Sequence, residues 1–288
     1  MSKTILITGA ATGFGRDMAE TFKAGGHRVF AAFRDIAGRH KTAAEALRAL
    51  DIEVVELDVT DDASVEKGVG AVLKATDKAL DVVINNAGIA TAGISEAFTP
   101  DQVKVLYNTN VVGIHRVLRA VLPALRARKD GLVVNIGSIV GRVNFPFFGL
   151  YGGTKFAVEA VTEGYRYELS QSGIDVVLVQ PGAYPTSMFE QIRLPSDTTR
   201  AAGYGAVAEI PGKMLETFEA MFASDSAPNP HDVAAAVAKL IATPKGRRPA
   251  RLVVGQAFGT DAINEATAPI QTRALEALGL VHLADVAA

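Results

Sequence analysis

Cysteine is absent from the 288-residue chain. That absence excludes disulfides, thiolate metal ligands and thiol nucleophiles by inventory alone. An excess of either charge is missing too, since 29 Lys and Arg stand against 31 Asp and Glu for a formal charge of -2. Without a broad basic field to release counterions, a nucleic-acid partner is not expected. The basic runs at 126–129 and 245–248 are short and interrupted, and read as a solvated helix end and a solvated loop. No stretch of about 18 uncharged apolar residues occurs, which leaves no candidate for a spanning helix. Only Lys3 precedes the first apolar run, and glycine-rich sequence follows too early for a secretion signal. A cytoplasmic protein with no membrane partner is therefore expected. Five histidines are scattered without metal-ligand spacing, and no metal site is expected.

What is present is ordinary globular material, 49% hydrophobic and 21% charged, enough for one large core. Short β-branched runs at 4–8, 28–33, 53–57, 82–85, 132–136, 175–180 and 252–254 alternate with stretches of helical period. Those stretches are 16–24, 43–50, 63–75, 103–127, 156–170 and 231–241. The strand candidates are continuously apolar instead of alternating, the mark of strands covered by helices on both faces. The pattern predicts a single doubly wound α/β domain, residues 1–288, around a seven-stranded parallel sheet. Residues 187–230 break the rhythm with Pro195, Pro211, Pro228 and Pro230, and read as an inserted lid over a substrate site. Within the C-terminal extension, 255–288, a closing helix is predicted at 274–283.

The first strand runs into Gly9-Ala10-Ala11-Thr12-Gly13-Phe14-Gly15 and then a helix. Glycines let the backbone turn sharply and approach a pyrophosphate, while the helix N-terminus offers free N–H groups and a positive dipole end. In open parallel sheets, ligands bind outside the carboxyl ends of the strands, where this turn must lie. The second strand ends Ala32-Phe33-Arg34. An acidic residue there would hold a ribose 2′-hydroxyl, whereas arginine neutralises a 2′-phosphate, so NADP(H) is favoured while NAD(H) stays open. Asp35, one place on, reads as a partner for a neighbouring group.

Further along come Asp58-Val59, Asn85-Asn86-Ala87-Gly88, Asn110 within Asn108-Thr109-Asn110-Val111-Val112-Gly113, Ser138, Tyr151-Gly152-Gly153-Thr154-Lys155, and Pro181-Gly182 followed by Thr186. In this order and spacing the chain resembles the short-chain dehydrogenase/reductase family over residues 3–254. The resemblance implies a Rossmann-type fold with Asn110, Ser138, Tyr151 and Lys155 as a catalytic tetrad. Cofactor contacts are implied at Gly9, Thr12, Gly13, Phe14, Gly15, Arg34, Asp58, Val59, Asn86, Ala87, Gly88, Tyr151, Lys155, Pro181, Gly182 and Thr186. It also implies a homodimer or homotetramer packed through the helices that hold Asn110 and Tyr151.

Reducing a ketone needs a hydride at carbon and a proton at oxygen, hence an acid near the carbonyl in a dry slot. A free tyrosine titrates near pH ~10, so Tyr151 needs a positive neighbour to lower it. Lys155, one helical turn away on the same face, is expected to do so. Ser138 is expected to polarise the carbonyl oxygen. Asn110 falls within a long predicted helix that asparagine suits poorly, which predicts a local irregularity. By resemblance it would hold a water relay to Lys155. Gly152-Gly153, Tyr184 and Pro185 depart from the family's usual residues.

Substrate contacts are expected from Ser138, Tyr151, Phe145, Phe148, Tyr184 and Met188, with Phe189, Ile192, Leu194, Tyr204, Met214, Leu215, Phe218, Met221 and Phe222 as further candidates for an apolar cleft. The helical spacing of 214–222 reads more readily as core than as pocket. The expected activity is hydride transfer between NADP(H) and a carbonyl or secondary alcohol of a small hydrophobic substrate. Two alternatives remain at this stage: an NAD-dependent alcohol dehydrogenase, and a non-catalytic NADP(H) sensor.

Overall fold

The computed structural model describes residues 2–287. The apolar runs become seven strands: β1 (Thr4–Thr8), β2 (Arg28–Phe33), β3 (Glu53–Glu56), β4 (Val82–Asn85), β5 (Gly131–Ile136), β6 (Ile174–Pro181) and β7 (Arg251–Val254). Every pairing is parallel, in the order β3-β2-β1-β4-β5-β6-β7. From β1 the chain builds outward to β3 and then crosses back to β4. The loops leaving β1 and β4 therefore diverge, opening a crevice at the carboxyl ends of the strands.

The helices are α1 (Gly13–Ala24), α2 (Lys41–Ala49), α3 (Asp62–Ala75), α4 (Pro100–Tyr107), α5 (Gly113–Arg128), α6 (Gly149–Ser170), α7 (Ser187–Glu190), α8 (Thr198–Ala202), α9 (Ile210–Phe222), α10 (His231–Ala242) and α11 (Thr260–Ala277). Successive residues of β1 point to opposite faces, and both faces are covered. Ile5 and Ile7 join Met18, Phe22, Leu47 and Val237 in one core layer. Leu6 joins Val69, Val117, Leu118 and Val158 in the other. This double burial is why the strands read as unbroken apolar runs, each such side chain contributing about 1.5–3 kcal/mol.

The structure departs from the sequence reading at four places. The helix predicted over 103–127 is α4 and α5 joined by a π-helical turn, Asn108–Val112, so the expected irregularity is present. Helix α6 starts at Gly149 and not at residue 156, bringing Tyr151 into its first turn. The closing helix lies at Thr260–Ala277, not 274–283. Gly279, at φ 70°, ends it, leaving the apolar residues Leu278, Leu280 and Val281 outside the helix they suggested. The fourth departure is Arg248, which is not solvated. Its guanidinium donates to Asp175 Oδ2 at 2.5 Å and Leu240 O at 2.9 Å, and Asp175 is fully buried on β6. No described helix is long and apolar enough to cross a membrane.

Candidate active site

The glycine-rich turn packs against the loop leaving β4. Gly9 has φ 66°, and a Cβ there would stand 2.7 Å from Ala87 Cα. Asn86 Nδ2 donates to Thr8 O at 3.0 Å and Gly9 O at 3.1 Å, while Thr8 Oγ1 accepts from the N–H groups of Asn86 and Ala87. Gly9 and the Asn86-Ala87-Gly88 turn thus brace each other. Gly13 serves a different end. At φ 54° its missing side chain would meet nothing nearer than Ser187 Oγ at 3.6 Å. Thr12 does not cap α1 with its side chain, and its hydroxyl instead accepts from Ser187 Oγ at 2.9 Å. The first N–H groups of α1 therefore face the crevice without a side-chain acceptor, a cradle that fits a pyrophosphate.

Strand β2 delivers Arg34 to the rim of that crevice. Its guanidinium lies 3.5 Å from Asp58 Oδ2, and the arginine side chain is half exposed. Burial pushes the Asp58 carboxyl up, but the Thr60 hydroxyl and amide, together with Arg34, hold it below its usual value. Asp35, at φ 56°, accepts from the Arg39 N–H at 2.9 Å, so its carboxylate closes a turn. Burial, and then the charges of Arg39 and Arg34, lower the nearby His40 imidazole. Val59 is buried against Gly113 at the start of α5.

Helix α6 places Tyr151 and Lys155 one turn apart on one face. Lys155 Nζ donates to Ile136 O at 3.0 Å and lies 5.7 Å from the centre of the Tyr151 ring. Burial pushes the Lys155 ammonium down to about 8. The expected lowering of Tyr151 is reversed: burial drives its phenol well above the ordinary value, opposed by the Ser138 hydroxyl. The physical reason is that the ammonium bonds the Ile136 carbonyl instead of the phenol oxygen, so desolvation dominates. Ser138 Oγ accepts from Val140 N–H at 3.2 Å.

Asn110 sits in the π turn, 2% exposed. Its Nδ2 donates to Ile89 O at 2.9 Å and Thr154 Oγ1 at 3.1 Å, and its Oδ1 accepts from Ile89 N–H at 2.9 Å. It thus ties the loop after β4 to the residue beside Lys155. The paired glycines of α6 lie against two side-chain ends. A Cβ on Gly152 would lie 2.8 Å from Asn144 Oδ1, and one on Gly153 would lie 2.9 Å from Tyr107 Oη.

Ser138, Tyr151 and Lys155 share a cleft of about 120 Å³, room for several waters when one needs about 10–15 Å³. Asn86, Phe14, Pro181, Gly182 and Thr186 border it, as do Phe145, Phe148, Tyr184 and Met188. Tyr184 is a buried wall residue, its ring edge-on to Phe14 at 5.5 Å. From residues 187–230 come Phe189, Ile192 and Phe218, with Phe222 behind Phe189 at 4.8 Å. Met214 and Leu215 pack behind the wall, whereas Leu194 and Tyr204 are exposed. Phe258, which the sequence reading passed over, completes the cleft and meets Phe145 edge-on at 5.4 Å. The available signal was a lone aromatic between Gly255 and Gly259, immediately after β7.

Known proteins are similar to this chain in sequence and fold. A family profile described as short chain dehydrogenase matches residues 3–197. The 3-ketodihydrosphingosine reductase of Bacteroides thetaiotaomicron is 32% identical over 238 residues, which cover 83% of this chain and 83% of the relative. A short-chain dehydrogenase from Streptomyces avermitilis has a TM-score of 0.77 at 31% identity, covering 97% of this chain and 98% of that one. The actinorhodin polyketide ketoreductase solved with NADPH has a TM-score of 0.73 at 28% identity, over 90% and 97% of the two chains. Other similar structures hold NADH or NAD. With a family match across most of its length and relatives that bind nicotinamide cofactors, this chain belongs to the short-chain dehydrogenase family of oxidoreductases.

Proposed function

We propose that the protein is an NADP(H)-dependent reductase of a bulky, uncharged, apolar ketone or aldehyde, with Tyr151 as proton donor. The observation that carries this reading is the meeting of Ser138, Tyr151 and Lys155 in one cleft whose other walls are largely apolar and rich in aromatic rings. NADPH supplies the hydride. The α1 N-terminus and Gly13 hold its diphosphate, and Arg34 takes the 2′-phosphate. Lys155 binds ribose hydroxyls and steadies the phenolate left on Tyr151, whose proton goes to the carbonyl oxygen. Ser138 donates to that same oxygen as charge develops on it. Asn110 braces α6 through Thr154. The aromatic walls exclude water and leave a charged substrate without a partner. Exposed Val105, Tyr107, Val112 and Phe156 on α4 to α6 support a homodimer through these helices.

Oxidation of NADPH and of NADH across ketones and aldehydes graded by size and charge tests the reading. Consumption of NADPH with bulky apolar carbonyls supports it. Binding of both cofactors without turnover in either direction would favour a sensor. Arg34→Ala is expected to weaken NADPH by roughly 10- to 100-fold, the strength of a charge-assisted contact, and to leave NADH unchanged. Equal losses would remove Arg34 as the 2′-phosphate contact. The Arg34–Asp58 pair is exposed enough to be weak and readily surrendered.

Lys155 titrates at about 8 in the folded protein, and an anionic dinucleotide favours its charged form. NADPH binding is therefore expected to take up a proton above that pH, and its Kd to rise with pH through the same range. Calorimetry in buffers of different ionisation heat measures the uptake. No buffer dependence at pH about 9 would take Lys155 out of the cofactor site.

A further inference from the structure

Behind the cleft lies a polar hub that the chemistry above does not use. Arg142 closes the short turn that begins at Ser138, and its side chain is 18% exposed. Its Nε donates to Asn264 Oδ1 at 2.9 Å and its Nη2 to Thr267 Oγ1 at 2.9 Å, both on α11. Glu159, one turn beyond Lys155 on α6 and 6% exposed, lies 3.7 Å from Arg142 Nε and accepts from Arg251 Nε at 2.8 Å. Gln180, next to Pro181, donates to Glu159 and accepts from Asn264 Nδ2 at 2.8 Å. Thr260 of α11 reaches the carbonyl of Ile139 at 3.3 Å.

We propose that Arg142 is a positioning residue through which α11 fixes the catalytic turn carrying Ser138. The turn has almost no slack. Gly141 N–H bonds Ser138 O at 3.0 Å, and Arg142 N–H bonds Ile139 O at 3.0 Å. Gly141 also lies so near the backbone of Lys155 that a Cβ would stand 2.9 Å from its carbonyl oxygen. Moving the guanidinium therefore moves the turn against the helix that bears Tyr151 and Lys155. The planar fork of arginine suits this, because Asn264 and Thr267 grip two of its edges at once and define its orientation as well as its position. The hub touches neither the glycine-rich turn nor the 2′-phosphate rim, so the diphosphate and 2′-phosphate contacts, which carry most of the cofactor's charge, do not depend on it.

The test compares Asn264→Leu/Thr267→Val, which removes both acceptors, with Thr267→Ser alone, which keeps both of them and the Asn264 donation to Gln180. Hydrogen exchange reads the turn directly. In the first variant the Gly141 and Arg142 amides are expected to exchange at least about tenfold faster while those of β1 do not change, and the second should match the natural protein. The kinetic arm rests on the reductase reading. There, kcat falls by roughly 10- to 100-fold with the NADPH Kd within about twofold, because orientation and not binding is lost. Unchanged exchange at Gly141 and Arg142 would overturn the proposal, as would faster exchange with full kcat. If the natural protein oxidises no NADPH with any carbonyl, the reductase reading fails alone, and the exchange arm decides this proposal by itself. Should the first variant not fold, Arg142→Lys keeps the charge, loses the fork, and takes the same measurements.

Discussion

Tyr151→Phe is expected to lower kcat by roughly 10³-fold, within the range that a positioned proton donor supplies, and to leave the NADPH Kd within about twofold. Only the hydroxyl is removed. The ring keeps its edge-on contact with Phe148 at 6.4 Å and its place in the apolar wall, so neither the fold nor the cleft should change. The phenol oxygen makes only a long contact with Met188 Sδ, at 4.0 Å, and is influenced by the Ser138 hydroxyl. Ser138 Oγ keeps its bond from the Val140 N–H when the phenol is removed, so the hydroxyl contributes little to stability. Single-turnover NADPH oxidation isolates the chemical step. A loss below about tenfold would mean that the proton reaches the carbonyl from elsewhere, and would remove Tyr151 from the role assigned to it.

Arg248→Ala carries the largest expected effect on stability, about 3–5 kcal/mol, because it leaves a charge in the core without its partner. Asp175 is fully buried, and its Oδ2 accepts from Arg248 and from the Gly246 N–H at 3.1 Å. Its Oδ1 has no hydrogen-bond partner among the described residues, so no alternative donor stands ready. Chemical denaturation should give the free energy, and the melting temperature should drop by on the order of 10 °C. Adding Asp175→Asn to the variant should restore part of the loss, since an amide is far cheaper to bury than an unpaired carboxylate. A loss under about 1 kcal/mol would mean that water reaches the carboxylate after all. Cofactor affinity should not respond, because Asp175 sits at the amino end of β6 and the crevice lies at the other end.

Arg248 also marks where the sequence misleads. Lys245 to Arg248 reads as a charged surface loop because local charge density says nothing about a lone acidic residue in a strand 73 positions away. The strands, by contrast, announce themselves, because burial on both faces imposes an unbroken apolar run that no distant contact can disguise. Asn110 was legible for a related reason. A poor helix former inside a strong helical period has reason to bond elsewhere, and its amide bonds the Ile89 backbone and the Thr154 hydroxyl. Met214 to Phe222 divides between both readings: Phe218 faces the cleft, while Met214 and Leu215 pack behind it. A helical period gives which residues share a face, not whether that face meets solid core or a cavity. Phe258 was missed because its role depends on Phe145, which approaches from the other side of β6 in the chain order. The direction of the Tyr151 shift was misjudged because spacing on a helix places the lysine near the ring without fixing where its ammonium points.

The walls of the cleft come from separate stretches of chain: the segment after β5, residues 187–230, and the loop after β7. Phe145 and Phe148, Phe189 and Phe218, and Phe258 are therefore mounted on supports that can drift in sequence independently. Substitutions that reshape one wall should combine nearly additively in the logarithm of kcat/KM with changes in another wall wherever the rings do not touch, and depart from additivity at the Phe145–Phe258 and Phe148–Phe218 contacts. Such an arrangement lets a lineage, or a directed-evolution campaign, reshape the cleft one wall at a time, with only Phe148 in ring contact with Tyr151.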